Sequence, residues 1–287
     1  MKTAAALMGS RSEDTVRADI VEVGRRLYAR GYCASNDGNV SVRLDDRRIL
    51  TTPKGVCKGF MTPDMMVVTD MAGTKLAGDR EASSELLMHL AVYRNRSDVH
   101  AVVHAHPPLA TGFAVAGIPL DRAVLAEVIT TLGSIPIADY GTPSTPELAQ
   151  AVERYVKAHD GLLLANHGAL TVGHELYATY YKMETIEHFA KISLVARLLG
   201  RERLLSREEV DRLQQLRGRY GIAAPAPICP PDDGSAAGAE CQVVQAPNVP
   251  AGGPRLVADS ALGADQEIRL TYGELAALIE DAIRSVR

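Results

Sequence analysis

Two histidines spaced two residues apart, His104 and His106 in the run Val-Val-His-Ala-His, are the clearest candidates for chemistry. If that run is a strand, its period of two sets both imidazoles on one face of a sheet, a two-armed clamp for a metal ion. A third, His167, follows another apolar run in Ala-Asn-His-Gly-Ala, where Gly168 lets the backbone turn and aim the ring at the same point. Three neutral imidazoles that leave a fourth position open describe a catalytic zinc site. Each pattern alone is common without a metal. The reading needs the three to meet in space, which spacing does not reveal. His100, His159, His174 and His188 lack a partner pattern and read as solvated or packed. His89 reads as a packing residue or a support behind the site.

Ser83-Ser84-Glu85 precedes the histidine pair and opens a helical pattern. Two hydroxyls at a helix start either cap it or bind an anion beside its free N–H groups. Glu85 is a capping carboxylate or an acid/base. Gly38-Asn39 and Lys54-Gly55 adjoin strand candidates and read singly as turns. Taken with Ser83 and Ser84 they supply backbone amides, an amide side chain, hydroxyls and a cation, the parts of a phosphate cradle.

The elements that must position these residues are short. Residues 13–30 predict an amphipathic helix with Ile20, Val23 and Leu27 on one face and Gly31 as its stop. Strands are expected over 39–44, 48–52, 66–70, 99–106, 134–140, 161–164 and 169–172. Helices are expected over 84–94, 145–159 (with Pro146 in the first turn), 175–199 and 207–220. Strands mixed with flanking helices, without regular βαβ spacing or an internal repeat, predict a two- or three-layer α/β fold.

The 287 residues, 46% hydrophobic, suffice for one sizeable core plus an extension. A formal net charge of −4 points to neither a nucleic-acid nor a membrane-surface partner, while leaving small acidic substrates open. Four cysteines without a C-x-x-C pair fit a reducing cytosol rather than a disulfide framework. The first residues lack a signal-peptide apolar core, and no run is long enough to span a bilayer. A cytoplasmic location is expected.

In order along 38–168 stand G-N-V-S, T-P-K-G, S-S-E, H-A-H-P, Y-G-T-P and N-H-G. This series resembles the class II aldolase/adducin-head family over roughly residues 13–220. The resemblance implies a central, mainly antiparallel sheet flanked by helices. It implies His104, His106 and His167 as Zn²⁺ ligands, Glu85 as catalytic acid/base, and Asn39, Lys54, Gly55, Ser83 and Ser84 around a substrate phosphate. The implied activity is cleavage of a ketose 1-phosphate of the fuculose-phosphate type to dihydroxyacetone phosphate and a short aldehyde. Pentulose-phosphate epimerases, dehydratases and decarboxylases share the scaffold. The epimerases carry aspartate where Glu85 stands, which favours an aldolase. Adducin heads, which only bind, lack the full histidine set. Family members form homotetramers whose sites borrow a neighbour's residue, a tyrosine in those acting on fuculose phosphate. Residues 122–132 contain no tyrosine, and Glu127, their only carboxylate, is the candidate.

After Tyr220 the composition turns rich in Pro, Gly and Ala. A catalytic domain is expected over 1–222, a flexible linker over 223–266 and an amphipathic helix over 267–287. Thr271 and Glu274 form a capping box ahead of the stripe Leu275, Leu278, Ile279, Ala282, Ile283 and Val286. Such a tail resembles the encapsulation peptides that carry enzymes into bacterial microcompartments, and implies a shell protein as partner and the lumen as location. Its polar face is not basic, which argues against a membrane.

Overall fold

A computed structural model of the chain describes residues 12–222 and 224–228. Its centre is an eight-stranded sheet in the order β4-β3-β2-β1-β5-β8-β7-β6. The strands are β1 (Asn39–Arg43), β2 (Arg48–Thr51), β3 (Val67–Asp70), β4 (Lys75–Ala77), β5 (Ala101–Ala105), β6 (Ile137–Ala138), β7 (Gly161–Leu164) and β8 (Gly168–Gly173). Every pairing is antiparallel except β6 with β7. The helices are α1 (Glu13–Ala29), α2 (Leu86–Asn95), α3 (Pro108–Ala116), α4 (Ala126–Thr131), α5 (Pro146–Val156), α6 (Leu176–Leu198) and α7 (Arg207–Arg219).

Alternation along each strand divides the core into two layers. Val103, Ala105, Val40 and Leu50 face α1, α3 and α6, meeting Ile20, Leu27, Phe113, Met183 and Phe189. Val102, Ile49, Leu170 and Leu162 face α2 and α5, meeting Leu90, Tyr93, Leu148 and Val152. The sheet is therefore the middle of three layers, and β5 at its centre is buried along its length. A smaller cluster of Ala123, Ile129, Val210 and Ile228 joins the α4 region to α7.

The expected elements are present with shifted ends. Helix α1 starts from Ser12, whose hydroxyl accepts from Thr15 N–H, and α5 starts from Thr145 ahead of Pro146. The strand expected over 134–140 shrinks to two residues, because Pro136 has no N–H to donate and β6 lies at the sheet's edge. Helices α3 and α4 and the edge strand β4 carried no readable periodicity. Residues 224–228 belong to the folded chain although a linker was expected from 223: Ala224, Ala226 and Ile228 are buried. The rest of the expected linker and the helix over 267–287 lie outside the described residues. Among the described residues no helix is long and apolar enough to cross a membrane.

Candidate active site and metal centre

The central strand delivers the first two histidines. His104 lies on β5 opposite Asn39 of β1, and His106 follows the strand's end, where its N–H donates to the Tyr32 carbonyl at 2.8 Å. His167 sits in the tight turn between β7 and β8, and β8 pairs with β5. Here the conformational reason differs from the expected one. Asn166, at φ 55°, takes the left-handed conformation, a role asparagine tolerates. Gly168 is needed for space: a Cβ there would lie 2.6 Å from the Ala105 carbonyl and 2.6 Å from His106 Cδ2.

The three rings converge, with centroids 4.9, 4.7 and 5.0 Å apart. One nitrogen from each lies within 4.8 Å of the others. His104 Nδ1 donates to the Ala169 carbonyl at 2.9 Å, which leaves the Nε2 lone pair facing His106 Nε2 at 3.1 Å. His106 Nδ1 faces the Asp37 carboxylate at 3.4 Å. Fixing one ring nitrogen so that the other presents its lone pair is how proteins orient metal-binding histidines. Burial, then the neighbouring His104 and His167, push His106 down to about 4, so its ring is neutral at physiological pH. Two facing imidazole nitrogens without a proton between them suit a cation, and the donor set fits a metal ion.

Glu85 completes the group. It occupies the position before α2, yet its side chain caps nothing. Its carboxylate oxygens lie 3.2 Å from His167 Nε2 and 3.4 Å from His104 Nε2, and Asn39 Nδ2 donates to it at 2.8 Å. Burial alone would raise its pKa; the contacts with His104 and His167 outweigh burial and hold the carboxyl well below the usual range. His89 stands behind the site, fully buried, with Nδ1 2.7 Å from Ser41 Oγ, which also meets Tyr93 Oη at 2.8 Å. Burial, then His104, bring His89 down to about 3, so it is a neutral packing group.

The proposed cradle residues are neighbours. Thr52 N–H donates to the Val40 carbonyl, Pro53 bridges to Ala82, Lys54 N–H reaches the Glu81 carbonyl at 2.9 Å and Ser83 N–H the Thr52 carbonyl at 3.1 Å. The segments carrying Asn39, Lys54-Gly55 and Ser83-Ser84 are thus zipped side by side. All five residues line one cavity of about 400 Å³ together with Glu85, His106 and His167. Asp37, Lys58 and Ser144 also line it and were not anticipated. Ser144 holds a left-handed φ of 68° inside the Y-G-T-P-S-T stretch. Glu127 lies elsewhere: it is exposed at the start of α4 and lines a second cavity with Tyr32 and Glu187.

A family model described as class II aldolase and adducin N-terminal domain matches residues 18–194. The 3-oxo-tetronate 4-phosphate decarboxylase of Haemophilus influenzae is 34% identical over 206 residues, 70% of this chain and 96% of that protein. An L-fuculose phosphate aldolase of Methanococcus maripaludis is 33% identical over 177 residues, 62% of this chain and 95% of that protein. The solved structure of an L-fuculose 1-phosphate aldolase superposes with a TM-score of 0.67 at 30% identity, covering 72% of this chain and 96% of that one. The chain belongs to the class II aldolase and adducin N-terminal domain family.

Proposed function

We propose that this lyase is a zinc-dependent aldolase that cleaves a ketose 1-phosphate to dihydroxyacetone phosphate and a short aldehyde. The observation that carries the reading is the position of Glu85. Its carboxylate touches His104 and His167 and faces the cavity whose wall is Asn39, Lys54, Gly55, Ser83 and Ser84. Zinc held by His104, His106 and His167 would supply Lewis-acid stabilisation of negative charge developing on the substrate's carbonyl oxygen. The cradle holds the phosphate and so fixes the reacting carbon relative to Glu85. Glu85 carries the proton to and from that carbon. Asn39, bonded to the same carboxylate, keeps it aimed. We assign Glu127 of a neighbouring copy, in a homotetramer, as the base for the hydroxyl on the carbon that departs as aldehyde.

Decarboxylation of a 3-oxo-tetronate 4-phosphate is the second reading, favoured by the Haemophilus influenzae relative. It leaves the same carbanion for Glu85 to protonate and differs only in the departing group. A screen of ketose 1-phosphates and 3-oxo acid phosphates on the zinc-loaded protein tests both, with coupled detection of dihydroxyacetone phosphate. Aldehyde in equal amount supports the aldolase. Carbon dioxide without aldehyde replaces it with the decarboxylase. A product that keeps all its carbons moves the reading to an epimerase or dehydratase.

From the sequence we further propose that residues 267–287 bind a microcompartment shell protein. Residues 266–287 fused to a fluorescent protein should co-purify with the matching shells. Diffuse fluorescence in a shell-producing host counts against targeting.

A further inference from the structure

The cavity holds a cation that the phosphate cradle does not use. Lys58 is 2% exposed, among the largest buried side chains of the chain, and still reaches the cavity wall. The fold puts it there deliberately tightly: α1 crosses the short helical turn Lys58–Phe60 at Gly24, where a Cβ would lie 2.8 Å from the Lys58 carbonyl. Its Nζ donates to the Asn36 carbonyl at 3.0 Å and to the Val56 carbonyl at 2.7 Å. Those two carbonyls belong to the loops that present Asn39 and Gly55. Lys58 therefore ties together two of the three segments of the cradle.

Two features of this arrangement ask for an anion. An ammonium has three N–H donors, and the two carbonyls take two. Both acceptors are neutral, and among the described residues no carboxylate forms an ion pair with Lys58. Asp37 and Glu85, which line the same cavity, attract the ammonium without pairing with it, so the buried charge lacks a contacting counter-ion, a costly state that an incoming anion relieves. The cavity is where an anion can arrive.

We propose that Lys58 is a phosphate-binding residue of the substrate site, whose counter-ion is the substrate's phosphate held between the 36–39 and 54–56 loops. The proposal rests on the reading of Asn39, Lys54, Gly55, Ser83 and Ser84 as a phosphate cradle. It adds a buried cation to the exposed Lys54 at the cavity's edge. Burial lowers the Lys58 pKa from its ordinary value. A phosphate beside it works in the opposite direction and holds the proton on.

The test compares the zinc-loaded parent with Lys58→Met, which keeps the stem's bulk and removes the charge. Inorganic phosphate is the probe, read as competitive inhibition. Lys58→Met should weaken phosphate inhibition roughly ten- to hundred-fold, the range for losing one charge-assisted hydrogen bond. It should also raise KM for phosphorylated ketose by a larger factor than it lowers kcat. A merely structural lysine would lower kcat by at least as large a factor. Lys58→Gln, which retains a donor for one carbonyl, is the second variant should Lys58→Met fail to fold. Phosphate inhibition within two-fold of the parent in a folded variant overturns the proposal. Ser84→Ala separates the two readings: weakened inhibition there with none lost at Lys58 leaves the cradle standing and removes Lys58. A parent that phosphate does not inhibit removes both.

Discussion

Glu85 is held ionised by its neighbours, so at physiological pH it stands as a base facing the cavity. Glu85→Gln keeps all three imidazoles and should therefore keep its zinc, while turnover falls on the order of 10²–10⁴-fold, the span of general acid–base steps. Metal analysis and single-turnover assays on the same preparation check this; near-parent turnover would move the acid/base role elsewhere. The metal itself should follow the imidazoles. A ligand must be unprotonated to bind, and His106 lies near 4 instead of the ordinary 6.5. Zinc should stay bound as pH falls through 6 and be released only as it nears 4, measured by transfer to a chromophoric chelator. Release complete by pH 6 would contradict the lowered value. At this scale the residues most legible in sequence were those with unusual types at short spacing: His104, His106, His167, and Ser83-Ser84-Glu85. Lys58 was not legible, because a lysine beside Gly59 in a loop looks like any solvated lysine until α1 is seen to cover it. Asn166 was missed because Gly168, two residues further on, drew the turn to itself.

The elements matter here through register. The β7–β8 turn must approach the end of β5 closely enough for His167 to meet His104 and His106, and Gly168 is the point of contact. Gly168→Ala places a methyl against the Ala105 carbonyl and the His106 ring. The turn must then move outward, at a cost of roughly 1–3 kcal/mol for overpacking. The zinc site should suffer more than the fold: metal affinity should fall at least roughly ten-fold, the change in an equilibrium that about 1.4 kcal/mol represents. Zinc titration and thermal melting on one sample separate the two effects, and parent-like zinc affinity would show that the contact is soft. The pattern of legibility among elements has the same physical root. Helices α1, α5 and α7 bury one stripe and announce it in sequence. Helix α3 is Pro-Leu-Ala-Thr-Gly-Phe-Ala-Val-Ala, apolar nearly all round, so no period of 3.6 stands out, and it is recognised only by packing on α6, β7 and β8. Helix α4 has six residues and β4 three, too short for any periodicity to register.

Across the whole molecule, the boundary of the folded unit lies later than composition suggested. Proline and alanine after 222 read as linker, yet 224–228 close the side of the domain that carries α4 and α7. Ala226 N–H donates to the Ala158 carbonyl at 2.7 Å, and Ser134 Oγ donates to the Pro227 carbonyl at 2.6 Å. Ile228 packs with Ile129 and Val210. Arg217 depends on the stretch most. It is 4% exposed, donates to the Ile129 and Ala224 carbonyls, and burial lowers its pKa. A chain ending at residue 228 keeps all of these contacts; one ending at 222 keeps only the bond from Arg217 to the Ile129 carbonyl and loses the rest together. Leaving a buried donor unsatisfied costs about 1–3 kcal/mol, and exposing an isoleucine side chain costs about 1.5–3 kcal/mol. Those losses are a large share of a typical domain's stability of about 5–15 kcal/mol. The chain ending at 228 should therefore retain its zinc and turnover. The chain ending at 222 should melt well below it, with its α4–α7 side, and so the Glu127 segment, loosened first. Thermal melting with amide exchange over 122–132 checks this. Equal stability of the two truncated chains would mean that 224–228 lies on the domain without holding it together.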